Sequence, residues 1–216
     1  MHTFTEENYL KAIYHLQCET HSASTNDIAA ALHTKAASVT DMLKKLADKK
    51  LINYAKYQGV SLTDAGRKVA LQIIRKHRLW EYFLVEKLKF KWDEVHEMAE
   101  ELEHISSTEL INRLDEFMDC PRFDPHGDPI PDSSGEITAQ PFTSVLHLPV
   151  HQSGIIAGVS DHSVSFLQYL EKQQLTIGRK IKITEATDYD VCIQLTDENK
   201  ELNISREVAK KLLIAI

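Results

Sequence analysis

Between Cys120 and Pro131 the chain places four prolines and a glycine within twelve residues, Cys-Pro-Arg-Phe-Asp-Pro-His-Gly-Asp-Pro-Ile-Pro. Proline fixes φ and lacks a backbone N–H, so no helix continues through this stretch, which leads into a Ser/Gly-containing linker ending near Gln140. The patterning differs on its two sides. Before it, apolar residues recur mainly at helical spacing. After it, short runs alternate or carry β-branched residues between turn residues. The expected fold class is α+β with several domains, divided as 1–73, 74–138 and 139–216.

In the first segment, Tyr9, Leu10, Ile13, Tyr14 and Leu16 mark an opening helix. Thr25-Asn26-Asp27 introduces a short helix from Ile28 to Leu32, His33-Thr34-Lys35 forms a turn, and a second helix runs from Ala36 to Lys49 with Val39, Met42, Leu43 and Leu46 as its inner stripe. This is a helix-turn-helix pattern. Two β-prone runs follow between Leu51 and Leu62 around Gly59, which makes a wing. Thr63-Asp64-Ala65-Gly66 then caps a long helix reaching Leu88. In the middle segment Asp93 is expected to cap a helix through Ile105, and Ser106-Ser107-Thr108-Glu109 a further one to Met118. The last segment predicts five strands, at Ser144–Leu148, Ser153–Val159, Lys180–Glu185, Tyr189–Leu195 and Glu201–Ile204, with one helix at Ser163–Gln173. Together they suggest a small SH3-like barrel.

Charge separates the same regions. The net charge is −7, yet residues 1–75 hold ten Lys/Arg against seven Asp/Glu, whereas the remainder holds fifteen against twenty-five. A polyanion is expected at the front, and cations or a partner behind it. Cys18, Cys120 and Cys192 form no CxxC pair and read as ordinary thiols. No apolar run reaches membrane-spanning length and the polar N-terminus does not read as a secretory signal, so the expected location is the cytoplasm, with no membrane contact.

His96, Glu100, Glu103 and His104 are spaced to share one helix face. A solvated acidic face is the alternative, but the two histidines favour a cation between the carboxylates. His77 and Glu81 form a second pair at i and i+4, which alone would read as a surface ion pair. Asp124 and His126 are presented two residues apart on the proline-rich turn. Oxygen and nitrogen donors without thiolate suit Mn²⁺ or Fe²⁺, while the affinity order favours Zn²⁺, Co²⁺ or Ni²⁺ in vitro.

The stretches TEENYLKAIYHL, AASVTDMLKKLADKKLI, LTDAGRKVA, RKHRLWEYFLVE, VHEMAEELEHISS and PHGDPIP, in this order and spacing, resemble the diphtheria-toxin-repressor and manganese-transport-regulator (DtxR/MntR) family of bacterial metalloregulators. The likeness is close over residues 3–135 and architectural beyond 140, where longer members carry an SH3-like (FeoA-like) domain. It implies a winged helix, an all-α metal-binding and dimerisation domain, and a DNA-binding repressor of Mn or Fe uptake genes. Glu100, Glu103 and His104 fall on primary metal positions, and Asn8 stands where members place a Met or Asp ligand. Glu100 matches the manganese-type members. His77 and Glu81 match a second site, completed in SH3-bearing members by positions corresponding to Asp124, His126 and Asp161, with His162 as the neighbouring rival. His96 matches a further ligand of the iron-type branch.

The recognition helix would be Ala36–Lys49, with Ser38, Thr40 and Asp41 near its base-reading end. Lys35, Lys44 and Lys45 would contact phosphates, and Lys56 with Tyr57 would let the wing touch the backbone, ordinary solvated charge being the alternative. The resemblance implies a homodimer facing double-stranded, palindromic operator DNA, with apolar surface from Leu84, Leu88, Val95, Met98, Leu102, Leu110, Leu114 and Phe117. Two rivals remain: a metal-independent winged-helix regulator whose ligand binds the SH3-like domain, and a metalloenzyme. No His-Glu-x-x-His helix, phosphate loop or nucleophile–base pair supports the latter, so the expectation is that the protein is not an enzyme.

Overall fold

The computed structural model describes residues 2–20, 23–55, 59–138, 142–196 and 200–215. These residues form two compact units. One comprises Met1–His77, Leu102–Glu109 and Pro131–Glu136; the other comprises Arg78–Glu101, Leu110–Ile130 and Ile137–Ile216.

The first unit is a winged helix: α1 (Phe4–Thr20), α2 (Thr25–Ala31), α3 (Ala36–Asp48), β1 (Ile52–Ala55), β2 (Gly59–Leu62) and the start of α4 (Asp64–Glu86). Its helix starts are set locally. Thr3 and Glu6 bond reciprocally across the first turn of α1, and Ser24 and Asp27 form a capping box for α2. The α3 stripe Val39, Leu43 and Leu46 is fully buried. Strands β1 and β2 pair antiparallel from Ile52↔Leu62 to Ala55↔Gly59, and Ala23 bridges to Val60 as a third segment. Lys56 and Tyr57 lie outside the described residues.

In the second unit the C-terminal half of α4 packs with α6 (Thr108–Phe117) through Leu79, Ile111, Leu114, Met118 and Ile130. Between them, α5 spans His96–Leu102, shorter than the expected Asp93–Ile105. The Asp93 carboxylate does not cap α5. It accepts from Gln168 Nε2 at 2.9 Å, and the Val95 carbonyl accepts the amide of Ala99. Glu103 and His104 lie in the turn after α5 rather than on it. Of the apolar residues expected to face a second copy, Leu84, Val95 and Leu114 are buried within this chain, whereas Leu88, Leu110 and Phe117 are exposed.

The C-terminal region is a six-stranded antiparallel sheet in the order β3-β8-β4-β5-β6-β7, formed by β3 (Thr143–Ser144), β4 (Ser153–Val159), β5 (Lys180–Ala186), β6 (Asp190–Leu195), β7 (Lys200–Ser205) and β8 (Leu212–Ala215). Helix α7 (Val164–Gln173) follows β4, as its periodicity predicts. Two expectations fail. Val145–His147 is a 3₁₀ turn, started by the Ser144 hydroxyl accepting from the Leu146 amide. The last residues add α8 (Arg206–Lys211), capped by Ser205, and then β8, which inserts between β3 and β4.

Candidate metal centre

Among the described residues, buried acids and histidines gather within each unit. In the first unit Glu103 is fully buried, and its carboxylate accepts three hydrogen bonds from two groups. Lys11 Nζ lies 2.6 Å from Oε1 and 2.8 Å from Oε2, and His77 Nδ1 lies 2.6 Å from Oε2. A carboxylate can only accept, so His77 donates through Nδ1. Burial alone would push the Glu103 carboxyl up, but His77 and Lys11 more than offset it and hold it below its ordinary value.

His104 stands next to this carboxylate in a fixed orientation. Its Nδ1 donates to Glu7 Oε2 at 2.7 Å, and its ring stacks on Phe4 with centroids 4.5 Å apart. The other nitrogen, Nε2, is 3.8 Å from Glu103 Oε1. An imidazole fixed by a carboxylate at one nitrogen and directing the other toward a second carboxylate is the arrangement that orients histidine ligands around metals. On α1, one turn away from Lys11, Asn8 has its amide oxygen buried without a hydrogen-bond partner among the described residues. A buried orphan acceptor costs free energy that a cation would recover. The donor set is therefore suited to a hard or borderline divalent ion.

In the second unit Glu81, Asp124 and His126 are all buried, and each can offer one ligand atom within 4.8 Å of the others. The turn Asp124–Asp128 builds this group. Asp124 Oδ1 accepts from the amides of His126 and Asp128 at 2.8 and 2.9 Å, which closes the turn around its own side chain. Gly127 has φ +89°, and a Cβ there would sit 2.1 Å from the Ala157 carbonyl oxygen, so only glycine fits. The Val159 amide donates to the His126 carbonyl at 2.9 Å, tying the turn to β4. The His126 ring donates from Nε2 to the Trp92 carbonyl at 2.9 Å, which leaves Nδ1 3.6 Å from Glu81 Oε2 and 4.0 Å from Asp124 Oδ1.

The charges here are poorly balanced. Burial and the nearby Asp128 and Glu81 push Asp124 up to about 7. Burial opposes protonation of His126, but Glu81 and Asp124 prevail and raise it to about 9. Arg78 helps, bonding Asp128 Oδ2 at 2.9 Å and lying 3.8 Å from Asp124.

The remaining expected residues divide as follows. His96 is half-exposed, with Nδ1 3.3 Å from Glu81 and Nε2 3.7 Å from Glu100 in the same unit. Asp161 bonds Lys211 Nζ at 2.7 Å, which holds its carboxyl down at about 2. His162 is the residue brought against His126, with ring centroids 5.0 Å apart, and burial holds it below its ordinary value. Glu7, Lys11 and Arg78 are contributors that the sequence reading missed. For the first two the available signal was their i, i+4 spacing on α1, which resembles an ordinary surface ion pair.

On the nucleic-acid side, Ser38, Lys44 and Lys45 are exposed on the face of α3 opposite its buried stripe, and Lys35 is exposed immediately before its first turn. The Thr40 hydroxyl bonds the Ala36 carbonyl, and Asp41 pairs with Lys44 at 3.3 Å, which offsets the repulsion a lone carboxylate would offer to phosphate. At the far end of α3, Lys49 grips both oxygens of buried Glu6 at 2.7 and 2.8 Å. Among the described residues no helix is long and apolar enough to cross a membrane.

Comparison with known proteins gives this arrangement a context. Residues 1–60 match the N-terminal DNA-binding domain of iron-dependent repressors, 63–132 their metal-binding and dimerisation domain, and 143–216 the FeoA domain. The chain is 34% identical over 127 residues to the iron-dependent repressor IdeR of Mycobacterium tuberculosis (strain ATCC 25618 / H37Rv), covering 59% of this chain and 55% of that protein. It thus spans about half the length of the IdeR relatives it matches. It is also 34% identical over 118 residues to the HTH-type transcriptional regulator MntR of Geobacillus kaustophilus, covering 55% of this chain and 83% of that one. A solved structure of a manganese-dependent transcriptional repressor in complex with manganese is similar at TM-score 0.86 and 29% identity, covering 97% of this chain and 99% of the other. With the DNA-binding, metal-binding and FeoA domains matched in order along its length, and MntR matched over 83% of that protein, the chain belongs to the DtxR/MntR family of iron- and manganese-dependent transcriptional repressors.

Proposed function

We propose that the chain is a cytoplasmic repressor that binds operator DNA as a homodimer when Mn²⁺ or Fe²⁺ occupies its clusters. The observation that carries this is the first cluster, in which buried Glu103, oriented His104 and the orphaned Asn8 oxygen supply donors and no thiolate. In this reading Asn8, Glu100, Glu103 and His104 form the primary site, and His77, Glu81, Asp124 and His126 form the second, with His96 and Asp161 at its margin. A bound divalent ion supplies positive charge that neutralises crowded carboxylates.

The chain's own residues make that charge matter to DNA. Glu6 and Glu7 are consecutive on α1. Glu6 holds Lys49 at the end of α3, and Glu7 holds His104. The position of His104 is thereby linked through one helical turn to the recognition helix. Ser38 and Thr40 would meet base edges, while Lys35, Lys44 and Lys45, with Lys56 and Tyr57 of the wing, would meet phosphates. Exposed Leu88, Leu110 and Phe117 would supply apolar surface to the dimer, whose twofold symmetry suits a palindromic operator. The domain divisions at about 73 and 138 belong to the same proposal.

Fluorescence anisotropy of a labelled duplex from the gene's own upstream region tests the reading. Binding should appear with Mn²⁺ or Fe²⁺ and be lost on adding a chelator. Equal binding with chelator would instead favour a regulator indifferent to metal.

A further inference from the structure

Lys11 is the member of the Glu103 cluster that cannot be a ligand, because an ammonium has donors and no lone pair. It nevertheless holds the best position in the cluster. One Nζ contacts both oxygens of a fully buried carboxylate at 2.6 and 2.8 Å, from a side chain only 14% exposed. Oε1, which it holds most closely, is also the oxygen facing His104 Nε2 at 3.8 Å. A divalent ion bonded to that oxygen and that nitrogen would lie within a few ångströms of Nζ, where like charges in a poorly solvated place repel strongly. Glu103 cannot be left alone either, since an uncompensated buried carboxylate is costly.

We propose that Lys11 is a built-in counter-cation, which occupies Glu103 in the metal-free chain and must swing off it when a divalent metal binds, thereby setting the metal concentration at which the site fills. This rests on the reading of Glu103 as a metal ligand. Lys11 stabilises only the metal-free state, so its removal raises that state alone, and metal affinity increases by the same factor.

The test is Mn²⁺ binding to the full chain without DNA, followed by the electron paramagnetic resonance of free Mn²⁺, together with thermal unfolding of the metal-free and Mn²⁺-saturated forms. Lys11→Gln should bind Mn²⁺ at the Glu103-dependent site at least about tenfold more tightly, since breaking a buried ion pair is usually worth more than that. Its metal-free form should melt earlier than wild type, and its saturated form should not. Lys11→Arg, whose planar fork grips a carboxylate more firmly, should bind Mn²⁺ more weakly than wild type. Unchanged or weaker binding by Lys11→Gln, or equal destabilisation of both forms, would overturn the proposal. If Lys11→Gln does not fold without metal, Lys11→Arg decides, and affinity at or above wild type refutes it. A Glu103→Ala control separates the two ideas. If that variant binds as many Mn²⁺ ions as wild type, the metal reading and the inference fall together. If it loses one ion while Lys11→Gln behaves as wild type, only the inference falls.

Discussion

Glu103 in the first unit and His126 in the second are both buried ionisable groups among other charges, yet they are balanced by different means. Glu103 borrows a tethered ammonium from Lys11 and a donor from His77, and remains ionised. His126 lies instead between Glu81 and Asp124, which raise it to about 9 against the effect of burial. Filling the first cluster therefore asks a side chain to move, whereas filling the second asks a proton to leave. A site emptied by side-chain motion suits a switch coupled to conformation. A site emptied by protonation on a rigid turn suits a support that stays in place.

The strongest way to break this contrast is Glu103→Ala. It removes the acceptor on which Lys11, His77 and the candidate ion all depend. We expect a loss of more than about 100-fold in metal-stimulated operator binding, with a native circular-dichroism spectrum and an unchanged dimer. Anisotropy in the presence of Mn²⁺ checks it, and metal-dependent affinity equal to wild type would sink the switch. Gly127→Ala attacks the other side. The new methyl would collide with the Ala157 carbonyl, and the substitution should cost the second unit roughly 2–4 kcal/mol in denaturant unfolding while leaving the winged helix intact. A neutral result would mean the turn does not depend on its packing against β4. The smallest effect is expected from Glu7→Gln, which keeps an acceptor for His104 Nδ1 but removes its charge. Mn²⁺ affinity should fall about tenfold, read by titration against a competing chelator, and no change would show that His104 is oriented by Phe4 stacking alone.

Legibility in the sequence followed the range of the interactions. The α3 stripe, the wing and the start of α4 obey local periodicity and turn chemistry, and the sequence reading places them within a residue or two. Asp93 looked like a helix cap because nothing local reveals Gln168, seventy-five residues away. Strand β8 was missed for a similar reason: Leu212–Ala215 is short, and its partners are strands from the beginning of the domain. In the site, Glu103, His104 and His126 stood out through residue type and spacing. Lys11 did not, since its partner is ninety-two residues distant and its own helix offered Glu7 at the proper spacing for a trivial pair. Asp161 and His162 could not be ranked from sequence because adjacent residues leave a strand end in different directions. The structure sets one on Lys211 and the other against His126.

The turn around Gly127 also bears on how the protein can be taken apart. The matched domain models separate at residues 132 and 143, which invites modular construction: exchanging the FeoA-like sheet with that of a relative, or deleting it, by cutting in the linker. The backbone says otherwise. Gly127 lies flush against Ala157 and Gly158, and the His126 carbonyl is bonded by Val159, so residues 124–128 are folded onto strand β4 and grouped with it. A chimera joined in the linker would graft a foreign strand beneath a native histidine. A transplant that respects this seam carries the proline-rich turn together with the sheet.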